Sequence, residues 1–270
     1  MSYYGGYQRR IRFGGRLTPT VRALLIANVA VFGAQLLLHI AAPSISRLFQ
    51  YLFALTPALA IGRLHVWQFV TYAFLHELGV LPFHLFFNML FLWIFGGDVE
   101  RALGRTRFLK LYFGGVLAAG LCMCMPPMWH IRVLGASGAV FAVMAMYGRL
   151  FPHRTLLVWG LFPVRARTLV LVLVAIEVFF LVASGGHSKT AHLAHLGGFA
   201  FGWLFPQLER AVQGFRERQA SDRVARRREE EREVREKVDE LLAKVGREGL
   251  NSLTKREREF LKRASKTFRG

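Results

Sequence analysis

The chain has 270 residues, 53% of them hydrophobic, and a mean hydropathy of +0.32. Its first 208 residues hold 17 of the 36 basic residues but only 4 of the 17 acidic ones, which leaves this part with a net charge of +13. A soluble domain of that length would be hard to keep in solution with so few carboxylates, so the distribution argues against a soluble globule and for a body embedded in lipid.

Six apolar segments follow a basic N-terminal segment, 1–19, in which we expect no cleavable signal peptide. A spanning helix needs about 20 largely apolar residues because the hydrocarbon core is roughly 30 Å thick. The predicted spans are 23–42, 78–97, 111–131, 133–151, 168–186 and 190–208. The apolar stretch 155–164 is too short to span and is expected at the membrane interface. We therefore predict an all-α membrane protein with a six-span domain over residues 20–208.

The basic residues predict how these spans are oriented. Lys and Arg accumulate in cytoplasmic segments, and here they gather before the first span and after the second, fourth and sixth. We expect both termini in the cytoplasm of a cell (inner) membrane protein, with the even-numbered spans running from outside to inside. Since charge beside apolar runs explains the high isoelectric point, and no aromatic-interleaved basic patch accompanies it, we expect no nucleic-acid partner.

Three polar residues inside the spans are predicted to reach one depth. With 1.5 Å of rise per helical residue, His84 lies roughly 20 Å above the cytoplasmic end of its span, Ser137 roughly 21 Å and His195 roughly 18 Å. Asn88 lies one turn below His84 on the same helix face. Polar residues in a span are costly and are therefore candidates for function. Their common level predicts a site in the outer part of the membrane.

This set contains the parts of a covalent acyl-transfer site. A serine hydroxyl is a poor nucleophile unless a neighbouring base takes its proton, and His195 is a candidate base for Ser137. His84 and Asn88 can donate hydrogen bonds to a developing oxyanion, together with the backbone N–H of Ser137 at a helix start. The residue types thus predict nucleophile, base and oxyanion donors at one place.

Glycines flank both the serine and the histidine of this predicted site. Gly135 and Gly138 permit a tight turn into the serine helix and the close approach of another span. Gly198 and Gly202 lie three and seven residues after the histidine, so the face that carries it is smooth. Small residues on these faces would bring the two helices close enough for a hydrogen bond.

These motifs resemble those of the rhomboid family of intramembrane serine proteases, in the family's order. Residues 84–88 are similar to its His-x-x-x-Asn motif, 135–138 to its nucleophile motif, and 194–202 to its sixth-span motif Ala-His-x-x-Gly-x-x-x-Gly. Residues 100–104 resemble the sequence that closes the family's second span. The segment 43–77 would be its membrane-associated first loop, although Gln68 follows Trp67 where many members have Trp-Arg. The resemblance covers roughly residues 20–208.

The resemblance implies a rhomboid bundle and an intramembrane serine endopeptidase. It would cleave peptide bonds in or near transmembrane segments of other proteins of the lipid bilayer, without metal or cofactor, at a site that opens to the outer side. Ser137 would be the nucleophile and His195 the general base, in a dyad without an acidic third member. His84, Asn88 and the Ser137 amide would form the oxyanion hole.

Other interpretations stay open beside this one. A rhomboid-like pseudoprotease would bind transmembrane segments without cleaving them, but such proteins commonly lack the Ser or the His that this chain has. His192 is a second candidate base and a candidate partner of the dyad. Glu177 is expected roughly 13 Å up its span, about a turn or more below the dyad, with a structural role. A metal or haem site built from His84, His192 and His195 would leave Ser137 without a role.

From Glu209 the chain becomes a charged region with 19 basic and 13 acidic residues, a net charge of +6. Five apolar residues at helical spacing form one stripe, Val234, Val238, Leu241, Leu242 and Val245. Gly246 and Gly249 are expected stops, and Thr254 with Glu257 fits a capping box that opens a second helix. We predict a soluble, cytoplasmic helical hairpin over 209–270 whose partner the sequence does not name. A solvated charged tail that aids orientation is the alternative.

Overall fold

The computed structural model describes residues 17–79, 81–126, 128–158, 161–183 and 192–267 of the protein. Its α-helices, in chain order, are α1 (Pro19–Ala41), α2 (Pro43–Phe53), α3 (Pro57–Gly62), α4 (Gln68–Thr71), α5 (Phe83–Leu103), α6 (Arg105–Cys122), α7 (Ser137–Leu150), α8 (Ala166–Ala183), α9 (His192–Glu248) and α10 (Lys255–Thr267). The predicted all-α class is confirmed. The short apolar stretch after α7 forms an antiparallel hairpin, with Thr155 of β1 (Thr155–Val158) opposite Arg165 of β2 (Phe162–Arg165).

Each predicted span overlaps a helix, but only some of these helices are span candidates by composition. Among the described residues, α1 and α8 are long and apolar enough to cross a membrane, with mean hydropathies of 2.0 and 2.4. The apolar helix α7 is shorter, and α5 carries polar residues and a charged last turn. The six-span count therefore stays a prediction.

The bounds predicted for the second and third spans are wrong by several residues. Pro82 precedes the first residue of α5, so this helix begins at 83 rather than 78. Gly104 then adopts a φ of 78°, a left-handed conformation that suits glycine and separates α5 from α6. Helix α5 thus continues past the predicted span through the charged residues Asp98, Glu100 and Arg101. Hydropathy marks the lipid-compatible part of a helix and not its ends.

Three short helices occupy the segment between α1 and α5, and Gln68 fixes them. Its Nε2 donates to the carbonyl of Tyr51 at 2.9 Å, and its Oε1 accepts from the backbone N–H of Thr56 at 3.1 Å. Trp67 Nε1 donates to the carbonyl of Leu52 at 2.8 Å. Trp67 and Gln68 therefore satisfy backbone groups of this segment directly.

Helix α7 lies at the centre of the N-terminal unit, Met1–Pro206. Ten of its 14 residues are buried, whereas α1 and α8 are mostly exposed. Small residues let its neighbours approach: a Cβ on Gly198 of α9 would lie 2.1 Å from the carbonyl oxygen of Gly138, and one on Gly202 would lie 2.2 Å from that of Ala142. A side chain at either position would clash with the α7 backbone, so only glycine fits there. These two glycines therefore set how closely α9 packs on α7.

The second unit, Gln207–Gly270, contains the rest of α9 and all of α10. The capping box forms: the backbone N–H of Thr254 donates to Glu257 Oε2 at 2.6 Å, and the Glu257 N–H donates to Thr254 Oγ1 at 3.3 Å. Lys244 of α9 lies 3.1 Å from Glu257, so the two helices are paired. The expected stop at Gly246 is wrong, because α9 continues to Glu248 and ends before Gly249, whose φ is 83°.

Candidate active site

The turn that precedes Ser137 positions it as the first residue of α7. Gly135 adopts a φ of 120°, which a residue with a side chain rarely does, and its N–H donates to the carbonyl of Tyr72 at 2.9 Å. The Tyr72 hydroxyl in turn donates to the carbonyl of Val116 at 2.7 Å. Ser137 therefore begins its helix from a turn held by buried hydrogen bonds.

The structure brings Ser137 and His195 into direct contact. His195 Nε2 lies 2.8 Å from Ser137 Oγ, a hydrogen-bond distance. The imidazole stacks on the ring of Phe141, with centroids 4.7 Å apart and planes inclined by 10°. We did not predict Phe141 from the sequence, although its position four residues after Ser137 puts both on one helix face. Together these contacts fix the imidazole plane against α7.

The opposite nitrogen of His195 faces a carboxylate. Oε2 of Glu177 lies 3.0 Å from His195 Nδ1, at ion-pair distance but without the alignment of a hydrogen bond, and 2.5 Å from His192 Nδ1. The expectation that Glu177 lies a turn or more below His195 is wrong. Counting residues gives distance along a helix axis but not the level at which α8 begins, so the depth estimate missed this contact.

His84 lies beside the turn that precedes Ser137. A Cβ on Gly135 would lie 2.6 Å from His84 Nε2, so the imidazole edge contacts this glycine closely. Asn88 donates from Nδ2 to the carbonyl of His84 at 2.8 Å and is buried. The Nδ1 of His84 is buried and makes no hydrogen bond within the described part of the chain.

A buried glutamine of α1, which we did not predict from the sequence, holds the chain before α5. Gln35 of α1 accepts from the backbone N–H of His76 at 3.0 Å and donates to its carbonyl at 3.3 Å. The His76 ring packs edge-on against His84, with centroids 5.2 Å apart. A buried glutamine inside an apolar span was the available signal, because such a side chain needs a partner.

One group of side chains has the donor atoms of a metal site. The ligand atoms of Glu177, His192 and His195 all lie within 4.8 Å of one another. Two imidazoles and a carboxylate are ligands that zinc accepts. The sequence prediction of no metal site therefore stays a prediction.

Residues 63–210 match the family model described as the Rhomboid domain. This range is more than half of the chain and contains His84, Ser137 and His195. The chain belongs to the rhomboid family. A second model, described only as a family of unknown function, matches residues 224–267, the rhomboid's charged C-terminal region.

Several relatives agree with this assignment. The rhomboid is 31% identical over 204 residues to rhomboid protein 1, mitochondrial, of Saccharomyces cerevisiae. This match covers 73% of this chain and 56% of the relative. It is 31% identical over 144 residues to the rhomboid protease GlpG of Yersinia pestis, a match that covers 52% of this chain and 47% of the relative. It is 32% identical over 157 residues to RHOMBOID-like protein 12, mitochondrial, of Arabidopsis thaliana, a match that covers 52% of this chain and 44% of the relative. The chain spans about half the length of these curated relatives. Membership of this family indicates a membrane location, and the Yersinia relative is named as a protease.

Proposed function

We propose that this rhomboid is an intramembrane serine endopeptidase that cleaves peptide bonds in or near transmembrane segments of other membrane proteins. The observation that carries the proposal is the 2.8 Å contact between Ser137 Oγ and His195 Nε2. Nε2 takes the hydroxyl proton as Oγ attacks the scissile carbonyl, and the imidazolium then protonates the leaving amine. In the second half of the reaction, His195 takes a proton from a water molecule that attacks the acyl-enzyme carbonyl. The imidazolium then protonates Ser137 Oγ as the acid product leaves, which regenerates the hydroxyl.

Three groups are proposed to stabilise the oxyanion that forms during this attack. The Ser137 N–H lies in the first turn of α7, where backbone N–H groups have no partner within the helix. Nε2 of His84 reaches the same turn through its close contact with Gly135. Asn88 uses one amide proton on the His84 carbonyl and retains a second that it can donate.

The membrane arrangement belongs to the same proposal. We assign the spans to α1, α5, α6, α7, α8 and the first part of α9, within a domain over 20–208. Both termini, including 1–19 and the helical region 209–270, lie on the cytoplasmic side of the cell (inner) membrane, and the site opens outward. The support is the basic charge at alternate loops. Substrates are transmembrane proteins, and no metal, cofactor or nucleic acid takes part.

Probe labelling and cleavage together test the proposal. The purified protein in proteoliposomes should cleave a model transmembrane substrate, and a fluorophosphonate should label it. Ser137→Ala should lose both, and His195→Ala should lose cleavage. Ser46→Ala, which changes a buried serine of α2, should keep both. Labelling that persists in Ser137→Ala would refute the nucleophile, and labelling without any cleavage would favour the pseudoprotease.

A further inference from the structure

A carboxylate of α8 lies against the base of the proposed dyad, and the proposed function assigns it no role. We propose that Glu177 is a positioning residue: it holds the proton of neutral His195 on Nδ1, so that Nε2 presents its lone pair to the Ser137 hydroxyl. This inference rests on the proposed function, since a base is needed only if Ser137 is the nucleophile.

The tautomer follows from what each nitrogen of His195 contacts. A base that accepts from Ser137 Oγ through Nε2 must carry its proton on Nδ1 while it is neutral. That proton lies where side chains are little exposed, 13% for His195 and 15% for Glu177. Glu177 Oε2, at 3.0 Å, is an acceptor within reach. The alignment is poor in the free enzyme, as it often is before substrate tightens catalytic hydrogen bonds.

The charge of Glu177 also fits this role. It is the single acidic residue of α8, and the basic residue of the same helix, Arg167, stands ten positions earlier, roughly 15 Å along the axis. A carboxylate in so apolar a helix is costly unless it is paired. Its neighbours are the two imidazoles, and a negative charge there stabilises the imidazolium that forms when His195 takes the serine proton.

A metal site is the other interpretation of the same three side chains, and the distances disfavour it. Zinc bonds of about 2.0–2.1 Å in a tetrahedron keep ligand atoms about 3.3 Å apart. Glu177 Oε2 and His192 Nδ1 are separated by 2.5 Å, which is a charge-assisted hydrogen bond. The carboxylate oxygen therefore accepts a hydrogen bond from His192 Nδ1 and lies beside His195 Nδ1.

The test compares glutamine substitutions of two glutamates, Glu177 and Glu100, each of which connects two helices. Glu177→Gln in the full-length protein should lower kcat about tenfold or more while KM stays within about twofold, because binding is intact and the base is misoriented. The rate of fluorophosphonate labelling should fall in parallel, and this readout needs no substrate. Glu100→Gln is the matched control, since Glu100 accepts from the Thr18 hydroxyl and the Val21 N–H and does not contact the dyad. It should change the melting temperature without lowering kcat or the labelling rate.

Each outcome has one meaning for the inference. Glu177→Gln with kcat and labelling rate at the wild-type level overturns it, and so does a loss that Glu100→Gln shares. If dialysis against EDTA removes wild-type activity and Zn²⁺ restores it, the three side chains hold a metal and the positioning role is wrong. An unchanged Glu177→Gln beside an inactive Ser137→Ala refutes only the role of Glu177, whereas labelling of Ser137→Ala refutes the proposed function itself.

Discussion

The two nitrogens of His195 show how the surroundings of one side chain can prepare it for a reaction. Nε2 contacts Ser137 Oγ at 2.8 Å, Nδ1 faces Glu177 at 3.0 Å, and the ring lies flat on Phe141. Each contact comes from a different helix or a different turn, so no short stretch of sequence contains the arrangement. The His84 imidazole contacts the turn at Gly135, before Ser137, and is a proposed oxyanion donor.

At this scale we predict that His84→Ala lowers kcat about a hundredfold, the usual cost of one oxyanion donor, with little change in KM. Steady-state cleavage of a model transmembrane substrate measures it. His130→Ala, which removes an exposed imidazole, should leave the rate unchanged. A kcat for His84→Ala within a few fold of wild type would contradict the oxyanion role and leave the dyad standing.

Glycines on α7 and α9 let the two helices approach closely enough to bring Ser137 and His195 together. The backbones of α7 and α9 approach at Gly138, Gly198 and Gly202 more closely than any Cβ would allow. The Ser137–His195 contact depends on that approach, because the two residues lie on these two helices. Packing of small residues is the ordinary means of association for helices in lipid, where there is no hydrophobic drive between them.

Gly198→Ala should therefore impair both folding and activity. The new methyl group would meet the backbone of Gly138, which cannot rotate away, so we expect a loss of about 1–3 kcal/mol and a wider Ser137–His195 separation. Thermal unfolding and fluorophosphonate labelling measure the two effects. Gly214→Ala, on the same helix with open space around it, should be neutral or stabilising. Equal behaviour of the two variants would show that the close approach is unimportant.

The start of α10 should depend on pH in a defined direction. Hydrogen bonds from the Thr254 N–H and hydroxyl, together with Lys244, lower the pKa of Glu257 from 4.5 to about 2. A lowered pKa means that the capping contribution is complete above about pH 4.5 and is lost as the pH falls towards 2. Amide exchange at residues 255–258 should be faster in Glu257→Ala than in wild type at pH 7, and the two should converge on acidification. Glu259→Ala, which makes only a 3.9 Å ion pair, should match wild type throughout.

At the scale of the whole molecule, charge and hydropathy divide the chain into two units of different chemistry. The N-terminal unit has an apolar sequence with few acidic residues, and the C-terminal unit has helices covered with charged residues. The Rhomboid domain model matches residues 63–210, and the model of a family of unknown function matches residues 224–267. The two matches therefore also separate these regions. The charge at alternate loops then predicts on which side of a membrane each lies.

Cysteine labelling in intact cells tests that topology. In a background where Cys122 and Cys124 are replaced by Ala, Gly62→Cys should react with a membrane-impermeant maleimide, because its loop is predicted outside. Ser221→Cys should react only after the cells are permeabilised, because the C-terminal unit is predicted inside. Labelling of Ser221→Cys in intact cells would show that the predicted orientation is wrong.

The sequence alone predicted several features of this rhomboid that the structure also contains: helices over the apolar segments, the capping box at Thr254, and glycines where the helices of Ser137 and His195 approach. These features are local, since hydropathy, rise per residue and small-residue spacing act along one helix. The tertiary structure decided the contacts that depend on where helices begin and how they are rotated. Glu177 beside His195 and Gln35 beside His76 are such contacts, because residue counting fixes distance along an axis and leaves the level and rotation of each helix to packing.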